Sequence, residues 1–126
     1  MIFFDTETCG LHGMPVLIQW CHISDPTKIH LHNIWTKPIH ETLSLIESFV
    51  AEPGGVCGFN LSFDWFMLCK AYTILSLYHD FDAEPQDIID ELAMLEPQGR
   101  DGPCLKPVKA LDLMLHARKG PYQSTM

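Results

Sequence analysis

The sequence predicts an α/β protein with one mixed β-sheet flanked by helices, and two observations lead to this fold class. Three short strand-like segments come first and are joined by turn residues, which favours an antiparallel meander. Strand-like and helix-like segments then alternate along the chain, which favours parallel strands joined by helices. The chain has 126 residues, of which 47% are apolar, and this is enough for a single domain with a packed core.

The first three strands are predicted from apolar segments and from the turns between them. Ile2–Phe4 is a continuous apolar run, which is typical of a central strand buried on both faces. A glycine-containing turn follows, and a second strand is predicted over Pro15–Ile23. The turn residues Ser24–Thr27 then lead to a third strand over Ile29–Trp35.

Two helices are predicted from apolar spacing and from capping residues. Thr36 is expected to cap the first helix, whose apolar face consists of Ile39, Leu43, Ile46 and Val50. A short strand over Val56–Phe59 leads to Asn60, which is expected to cap a second helix that extends to Tyr78. We expect the first strand to lie in the sheet between the second strand and the Val56 strand.

The last third of the chain is predicted to contain a helix over Gln86–Leu95 and a final strand within Lys106–Leu115. The helix lies in a segment, Asp80–Asp101, that holds half of the sixteen acidic residues of the chain. A segment of this kind is typical of a solvated surface. The net charge of −8 argues against binding of nucleic acid along an extended basic groove.

The cysteine content and the hydropathy of the sequence indicate where in the cell the protein is located. The five cysteines are odd in number and contain no CxxC pair, which favours reduced thiols over disulfides or a zinc site. No apolar run approaches the roughly 18 residues of a membrane span, and the N-terminus lacks the basic start of a signal peptide. We therefore expect a soluble, cytoplasmic protein without a membrane partner.

Two acidic residues follow the first apolar run and have no basic neighbour. Because successive side chains of a strand point to opposite faces, Asp5 and Glu7 are expected on one face and Thr6 on the other. The two carboxylates are then about 7 Å apart, at roughly 3.3 Å per residue. The nearest basic residue in the sequence is Lys28, so the charge that offsets them must come from elsewhere in the fold or from a bound cation.

A third carboxylate, Asp64, lies one turn into the predicted second helix. A helix that directly follows a sheet strand begins near the edge where neighbouring strands end, so Asp64 is expected to face Asp5 and Glu7. Carboxylate oxygens are the ligands that Mg²⁺ and Mn²⁺ prefer, whereas zinc prefers Cys and His. The pattern therefore predicts a site for a hard divalent cation.

These residues belong to two motifs that resemble those of a known family. FDTETCGL over residues 4–11 and GFNLSFDWFML over residues 58–68 resemble the first and second motifs of the DEDD (DnaQ-like) 3′-to-5′ exonucleases. A third segment, ALDLMLHAR over residues 110–118, resembles a later strand of that family, so the likeness covers nearly the whole chain. The resemblance implies a ribonuclease H-like fold.

The resemblance also implies roles for individual residues. Three carboxylates would be catalytic and would bind two Mg²⁺ or Mn²⁺ ions: Asp5, Glu7 and Asp64. Asp5 would bridge the ions, Glu7 would bind the ion that activates the attacking water, and Asp64 would hold the other ion, mainly through water. The 3′ nucleotide of the substrate would be contacted by Thr6, Leu11, Asn60 and Phe63.

The sequence departs from the family pattern at two places. The third family motif, which supplies a fourth carboxylate and a general base, is missing, because no acid follows Asp112 and His116 has no Asp five residues later. Phe59 occupies the position before Asn60 where many members have His. Residues 1–126 thus resemble the N-terminal portion of an exonuclease domain, and we expect this portion by itself to be folded and nearly inactive.

Three functions are compatible with this pattern. The expected function is 3′-to-5′ hydrolysis of single-stranded nucleic acid with release of 5′ mononucleotides, on DNA in preference to RNA. A DNA polymerase, for which the domain would proofread, is a candidate partner. The alternatives are an oligoribonuclease-like RNA exonuclease and a non-catalytic module of the same fold that binds nucleic-acid ends.

Overall fold

Five strands form one mixed sheet in the computed structural model, which describes residues 1–8, 15–78, 85 and 105–118. In chain order they are β1 Ile2–Thr8, β2 Pro15–His22, β3 His30–Asn33, β4 Val56–Gly58 and β5 Ala110–Asp112. The described helices are α1 Ile39–Ala51, α2 Leu61–Tyr78 and α3 Leu113–Arg118. The predicted fold class, an α/β protein with a mixed sheet flanked by helices, is confirmed at this level.

The first three strands form the predicted antiparallel meander. β1 pairs with β2 from Ile2↔His22 onwards, and β2 pairs with β3 through four residue pairs that end at Trp20↔His30. The turn between β2 and β3 is closed by Asp25, whose carboxylate accepts a hydrogen bond from the Thr27 hydroxyl at 2.9 Å. Two backbone turns also lie here, in which the Asp25 N–H donates to the His22 carbonyl at 3.0 Å and the Lys28 N–H donates to the Asp25 carbonyl at 3.2 Å, and β3 begins only after them, at His30.

The second half of the sheet is parallel and makes β1 the central strand. The strand order is β3–β2–β1–β4–β5, and β4 runs parallel both to β1 and to β5. The predicted place of β1, between β2 and the Val56 strand, is therefore confirmed. Its central position buries Phe4 completely, with ring contacts to Phe49 of α1 and Trp65 of α2 at 5.4 and 6.1 Å between centroids.

Helix α1 has the predicted apolar face, but it begins at a different residue from the one predicted. Its buried side chains include Ile39, Leu43 and Ile46. The helix begins after Pro38, whose carbonyl accepts the first hydrogen bond of the helix, from the Glu41 N–H at 3.0 Å. The predicted Thr36 cap is wrong, because Thr36 belongs to a preceding turn in which its N–H donates to the Asn33 carbonyl at 3.3 Å.

Helix α2 has the predicted extent and a broad buried surface. It covers Leu61–Tyr78 and follows Asn60, as expected. Its buried residues recur at helical spacing and lie against the sheet and α1: Leu61, Asp64, Met67, Leu68, Lys70, Ala71, Ile74 and Leu75. A buried aspartate in the first turn of such an apolar face requires hydrogen-bonding partners, and these partners lie on β1.

The last described segment contains the predicted strand and a helix that was not predicted. The strand expected within Lys106–Leu115 is β5, and the chain then continues as α3. The helix begins at this point because the Asp112 carboxylate accepts a hydrogen bond from the Met114 N–H at 3.0 Å, which is a helix-capping contact. His116 accordingly lies in a helix rather than in a strand.

Two predictions concern segments that the structure does not describe, and the predictions on cysteines and membrane spans can be compared with the described residues. The Gln86–Leu95 helix and the loop that contains Leu11 lie in the segments that the structure does not describe. Cys21, Cys57 and Cys69 are free thiols. Among the described helices, none combines the length and the apolar character needed to cross a membrane.

Candidate metal and nucleic-acid site

In the carboxyl-terminal half of β1, exposed and buried side chains alternate as the sequence predicts. Asp5 and Glu7 are exposed, whereas Thr6 between them is buried with 8% of its surface accessible. Since adjacent side chains of a strand point to opposite faces, the two acids share one face of the sheet and Thr6 belongs to the other. The acids therefore lie at the end of the central strand, beside a buried polar residue.

A bulge in the sheet occurs beside these acids. Glu7 pairs with Leu17 and Thr8 pairs with Pro15, so Val16 is an extra residue on β2. The carbonyl of Val16 accepts a hydrogen bond from the Ile34 N–H at 2.8 Å instead. Bulges of this kind increase the local twist of a strand and are frequent beside functional sites.

The first turn of α2 lies beside β1 because of the parallel strand that precedes it. β4 pairs with β1 at Ile2↔Val56 and Phe3↔Cys57, and α2 begins three residues after β4 ends. Gly58 permits this close approach, since a Cβ atom there would lie 3.0 Å from the Phe4 carbonyl oxygen. The start of the second helix therefore lies beside the first strand.

Asp64 is bound directly to β1 through Thr6. The Thr6 hydroxyl donates to Asp64 Oδ1 at 2.5 Å, and the Thr6 N–H donates to the same oxygen at 3.2 Å. The pairing of β4 with β1 ends at Phe3↔Cys57, so the carboxylate takes the place of a neighbouring strand at Thr6. The Thr6 side chain thus holds Asp64, a contact that sequence reasoning did not predict.

Burial and neighbouring charges act together on Asp64. Burial raises the pKa of the Asp64 carboxyl, and the charges of Asp5 and Glu7 raise it further, while the hydrogen bonds from Thr6 oppose the increase. No described Lys or Arg forms an ion pair with any of the three acids. Three negative groups therefore influence one another at this edge without a cation from the described part of the chain.

Two of the predicted substrate-binding residues lie at the start of α2. Asn60 is exposed and has a positive φ of 57°, and Phe63 is half-buried in the first turn of α2. Leu11 lies outside the described residues. Within the described residues, no three side chains of His, Cys, Asp or Glu are arranged closely enough to hold one metal ion. The structure brings Asp64 to β1 without closing the three carboxylates into a metal shell.

Asp112 is a further residue at this edge of the sheet, and sequence reasoning missed its contacts. Its Oδ1 atom accepts hydrogen bonds from the N–H groups of Asn60 and Met114, and its Oδ2 atom accepts one from the Leu61 N–H, all at 3.0 Å. Asp112 therefore caps both α2 and α3. An aspartate at the end of a strand-like segment is a local signal for a cap of the following helix, but not of a helix about 50 residues earlier.

Comparison of the chain with models of protein families, with curated proteins and with solved structures gives no match. The fold and the geometry of the site define a class of protein. The protein is an α/β protein with acidic side chains grouped around the carboxyl end of the central strand of a mixed sheet.

Proposed function

We propose that this chain is the ribonuclease H-like core of a metal-dependent 3′-to-5′ exonuclease. The observation that carries the proposal is the contact of Asp64 with Thr6, which lies between Asp5 and Glu7 on the central strand. Asp64, which is 58 residues distant from Thr6 in the sequence, is thereby brought to the strand that carries Asp5 and Glu7. The strand order β3–β2–β1–β4–β5 also supports a ribonuclease H-like arrangement.

The electrostatics of this edge favour a bound cation. Asp5 and Glu7 raise the pKa of Asp64, and the described part of the chain offers no Lys or Arg to offset them. Oxygen ligands suit Mg²⁺ and Mn²⁺. A bound cation would draw the exposed Asp5 and Glu7 side chains towards Asp64, which Thr6 already holds in place.

The chemistry follows from the charges of substrate and protein. A phosphodiester is repelled by a chain of net charge −8, so cations at the acidic edge are needed before the substrate can bind there. Two divalent ions supply charge that stabilises the attacking and leaving oxygens of a phosphoryl displacement. Asp5, Glu7 and Asp64 would hold these ions, and Asn60 and Phe63 at the start of α2 would contact the 3′ nucleotide.

The proposed substrate is the 3′ end of single-stranded DNA, with short RNA as the alternative within the same reaction. Contacts to the 2′ position distinguish the two sugars. A DNA polymerase is the proposed partner if the domain proofreads. The same trimming assay with DNA and RNA oligonucleotides of one sequence separates the two substrates.

A second candidate function is favoured by one specific observation. Among the described residues no three acidic, His or Cys side chains form a metal-binding group, and Oδ1 of Asp64 accepts two hydrogen bonds from Thr6. A module of this fold that binds nucleic-acid ends without cleaving them needs no closed metal shell. This candidate predicts oligonucleotide binding that does not depend on Mn²⁺.

The deciding experiment measures Mn²⁺ binding by electron paramagnetic resonance and trimming of 5′-labelled oligonucleotides. Asp5→Asn and Asp64→Asn are each expected to weaken Mn²⁺ binding about tenfold or more, a typical effect of altering a metal site. Asp25→Asn is the control, because Asp25 is exposed in the β2–β3 turn and its described side-chain partner is Thr27. Trimming is expected to be weak for the 126-residue chain and strong for a longer protein that contains the third motif.

The possible outcomes separate the candidates. Mn²⁺ binding that both site variants weaken, with Asp5-dependent trimming, supports the exonuclease. Oligonucleotide binding without Mn²⁺ binding or trimming supports the end-binding module. Binding of neither Mn²⁺ nor oligonucleotide shows that the proposal is wrong.

A further inference from the structure

We propose that Asp112 is a positioning residue that fixes the start of α2 and thereby holds Asp64 against β1. The metal-binding consequence of this inference rests on the proposed function, whereas the positioning of Asp64 does not. Asp112 lies at the end of β5, on the side of β4 opposite β1. It acts across the sheet through the backbone of the turn that precedes α2.

The hydrogen bonds of Asp112 join three segments of the chain. Its carboxylate accepts the N–H groups of Asn60 and Leu61, which are 52 and 51 residues distant in sequence, and that of Met114 in α3. The first N–H groups of a helix have no partner within the helix, and a negative charge there is favoured by the helix dipole. Hydrogen bonds to an ionised acceptor are also stronger than neutral ones.

The segment that Asp112 holds has an uncommon backbone conformation. Asn60 has a φ of 57°, in the left-handed region that residues other than glycine rarely adopt. Asparagine tolerates this conformation better than most residues, but it is retained only when surrounding contacts fix it. Asp112 accepts hydrogen bonds from Asn60 itself and from the residue that follows, so the turn is fixed at its centre.

Asp64 depends on this turn because it lies only three residues after Leu61. If α2 moved against β1 by one residue of register, the Asp64 side chain would be rotated about the helix axis by about 100°. Its hydrogen bonds with Thr6, at 2.5 and 3.2 Å, would then be lost. Thr6 thus holds the carboxylate of Asp64, while Asp112 holds the backbone from which that carboxylate projects.

Asp112 acts through Asp64 rather than as a ligand of its own. Three backbone N–H groups at 3.0 Å already occupy most of the roughly four acceptor positions of its carboxylate, which commits Asp112 mainly to capping α2 and α3. The geometry therefore gives Asp112 a role distinct from the roles of the three acids at β1.

The test is amide hydrogen exchange by NMR, combined with Mn²⁺ binding, in Asp112→Asn. The Asn side chain has one acceptor oxygen, and its NH₂ group would face a backbone N–H donor. We expect the Thr6 amide to exchange about tenfold faster relative to amides of the β2–β3 ladder, and Mn²⁺ affinity to fall about tenfold. Asp25→Asn, which makes the same chemical change in an exposed turn, is expected to alter neither quantity.

A second variant covers the case in which Asp112→Asn does not fold. Asp112→Glu keeps both oxygens but moves them by one methylene group, and we expect an intermediate increase of Thr6 exchange. If only the amides of Asn60 and Leu61 exchange faster in these variants while the Thr6 amide is unchanged, Asp112 is a helix cap and the positioning role is wrong. If the wild-type chain binds no Mn²⁺ but Thr6 exchange responds to Asp112, positioning stands and the proposed metal site fails.

Discussion

At the scale of residues, the contact between Thr6 and Asp64 decides what the candidate site can do. One carboxylate oxygen accepts both a hydroxyl and a backbone N–H from the central strand. Burial disfavours the charged form of Asp64 and raises its pKa. The hydrogen bonds from Thr6 favour the charged form and act in the opposite direction. Asp64 is therefore held in place at a cost in stability that a bound cation would reduce.

This balance predicts opposite effects for two substitutions of Asp64. Asp64→Asn keeps an acceptor oxygen for both Thr6 donors and removes the buried charge, so we expect its free energy of unfolding at neutral pH in EDTA to equal or exceed that of the wild type. Asp64→Ala leaves two buried donors without an acceptor, which costs about 1–3 kcal/mol for each buried group. Urea unfolding followed by circular dichroism measures both values.

The outcome that contradicts this account is a large loss of stability in Asp64→Asn. Such a loss would mean that the charge of Asp64 has a cationic partner, which the described residues do not provide. Thr6→Ser is the matched control, since it keeps the hydroxyl that donates to Asp64.

At the scale of elements, β3 and α1 are joined by a partly buried hydrogen bond of a histidine, His32. The Nε2 atom of His32 on β3 lies 2.8 Å from the hydroxyl of Thr42, which is fully buried in α1. Burial lowers the pKa of His32 below its ordinary value of 6.5, Lys37 lowers it further, and Glu41 opposes this. The neutral imidazole is thus the form that the folded protein favours.

A lowered pKa in the folded state predicts how stability depends on pH. The unfolded chain binds the proton of His32 more tightly, so the contribution of His32 is present above pH 6.5 and is lost as pH falls through the folded pKa. We expect the free energy of unfolding to decrease between about pH 8 and about pH 5 more steeply in the wild type than in His32→Gln.

Urea unfolding at the two pH values measures this slope. His40→Gln is the control, because His40 lies on the same helix as Thr42 and is exposed. Equal slopes in the wild type and in His32→Gln would show that the contact with Thr42 does not select the neutral imidazole.

At the scale of the whole molecule, the central strand unites the core and the candidate site. Phe4 is completely buried and contacts rings of both main helices, and the acids begin at the next residue. Leu31 lies on the edge strand β3 and is 64% exposed. These two side chains are therefore expected to differ strongly in what they contribute to stability.

Phe4→Ala and Leu31→Ala test this difference. We expect Phe4→Ala to lower the free energy of unfolding by about 3–5 kcal/mol, because a cavity forms between the sheet and both helices. For Leu31→Ala we expect a change within about 0.5 kcal/mol, as is usual for exposed positions. Denaturation midpoints of the two variants give the comparison, and similar values would contradict the central position of β1.

Much of the architecture could be predicted from local patterns. The apolar run before Asp5, the turn residues Ser24–Thr27 and the apolar spacing of α1 and α2 each act over a few residues, so periodicity and turn chemistry suffice to identify them. The alternation of Asp5, Thr6 and Glu7 was predictable for the same reason, since it depends only on the geometry of a strand.

The tertiary structure alone decided which groups meet. The partner of Thr6 is 58 residues distant, and Asp112 caps a helix that begins 51 residues earlier, so no local pattern indicates either contact. The shift of the α1 start from Thr36 to Pro38 was decided by a competing turn at Asn33. The sequence by itself determined β1, β2, α1 and α2 and the alternation of Asp5, Thr6 and Glu7, because these follow from short-range periodicity. The folded chain determined how Asp64 is held, because that depends on hydrogen bonds between distant segments.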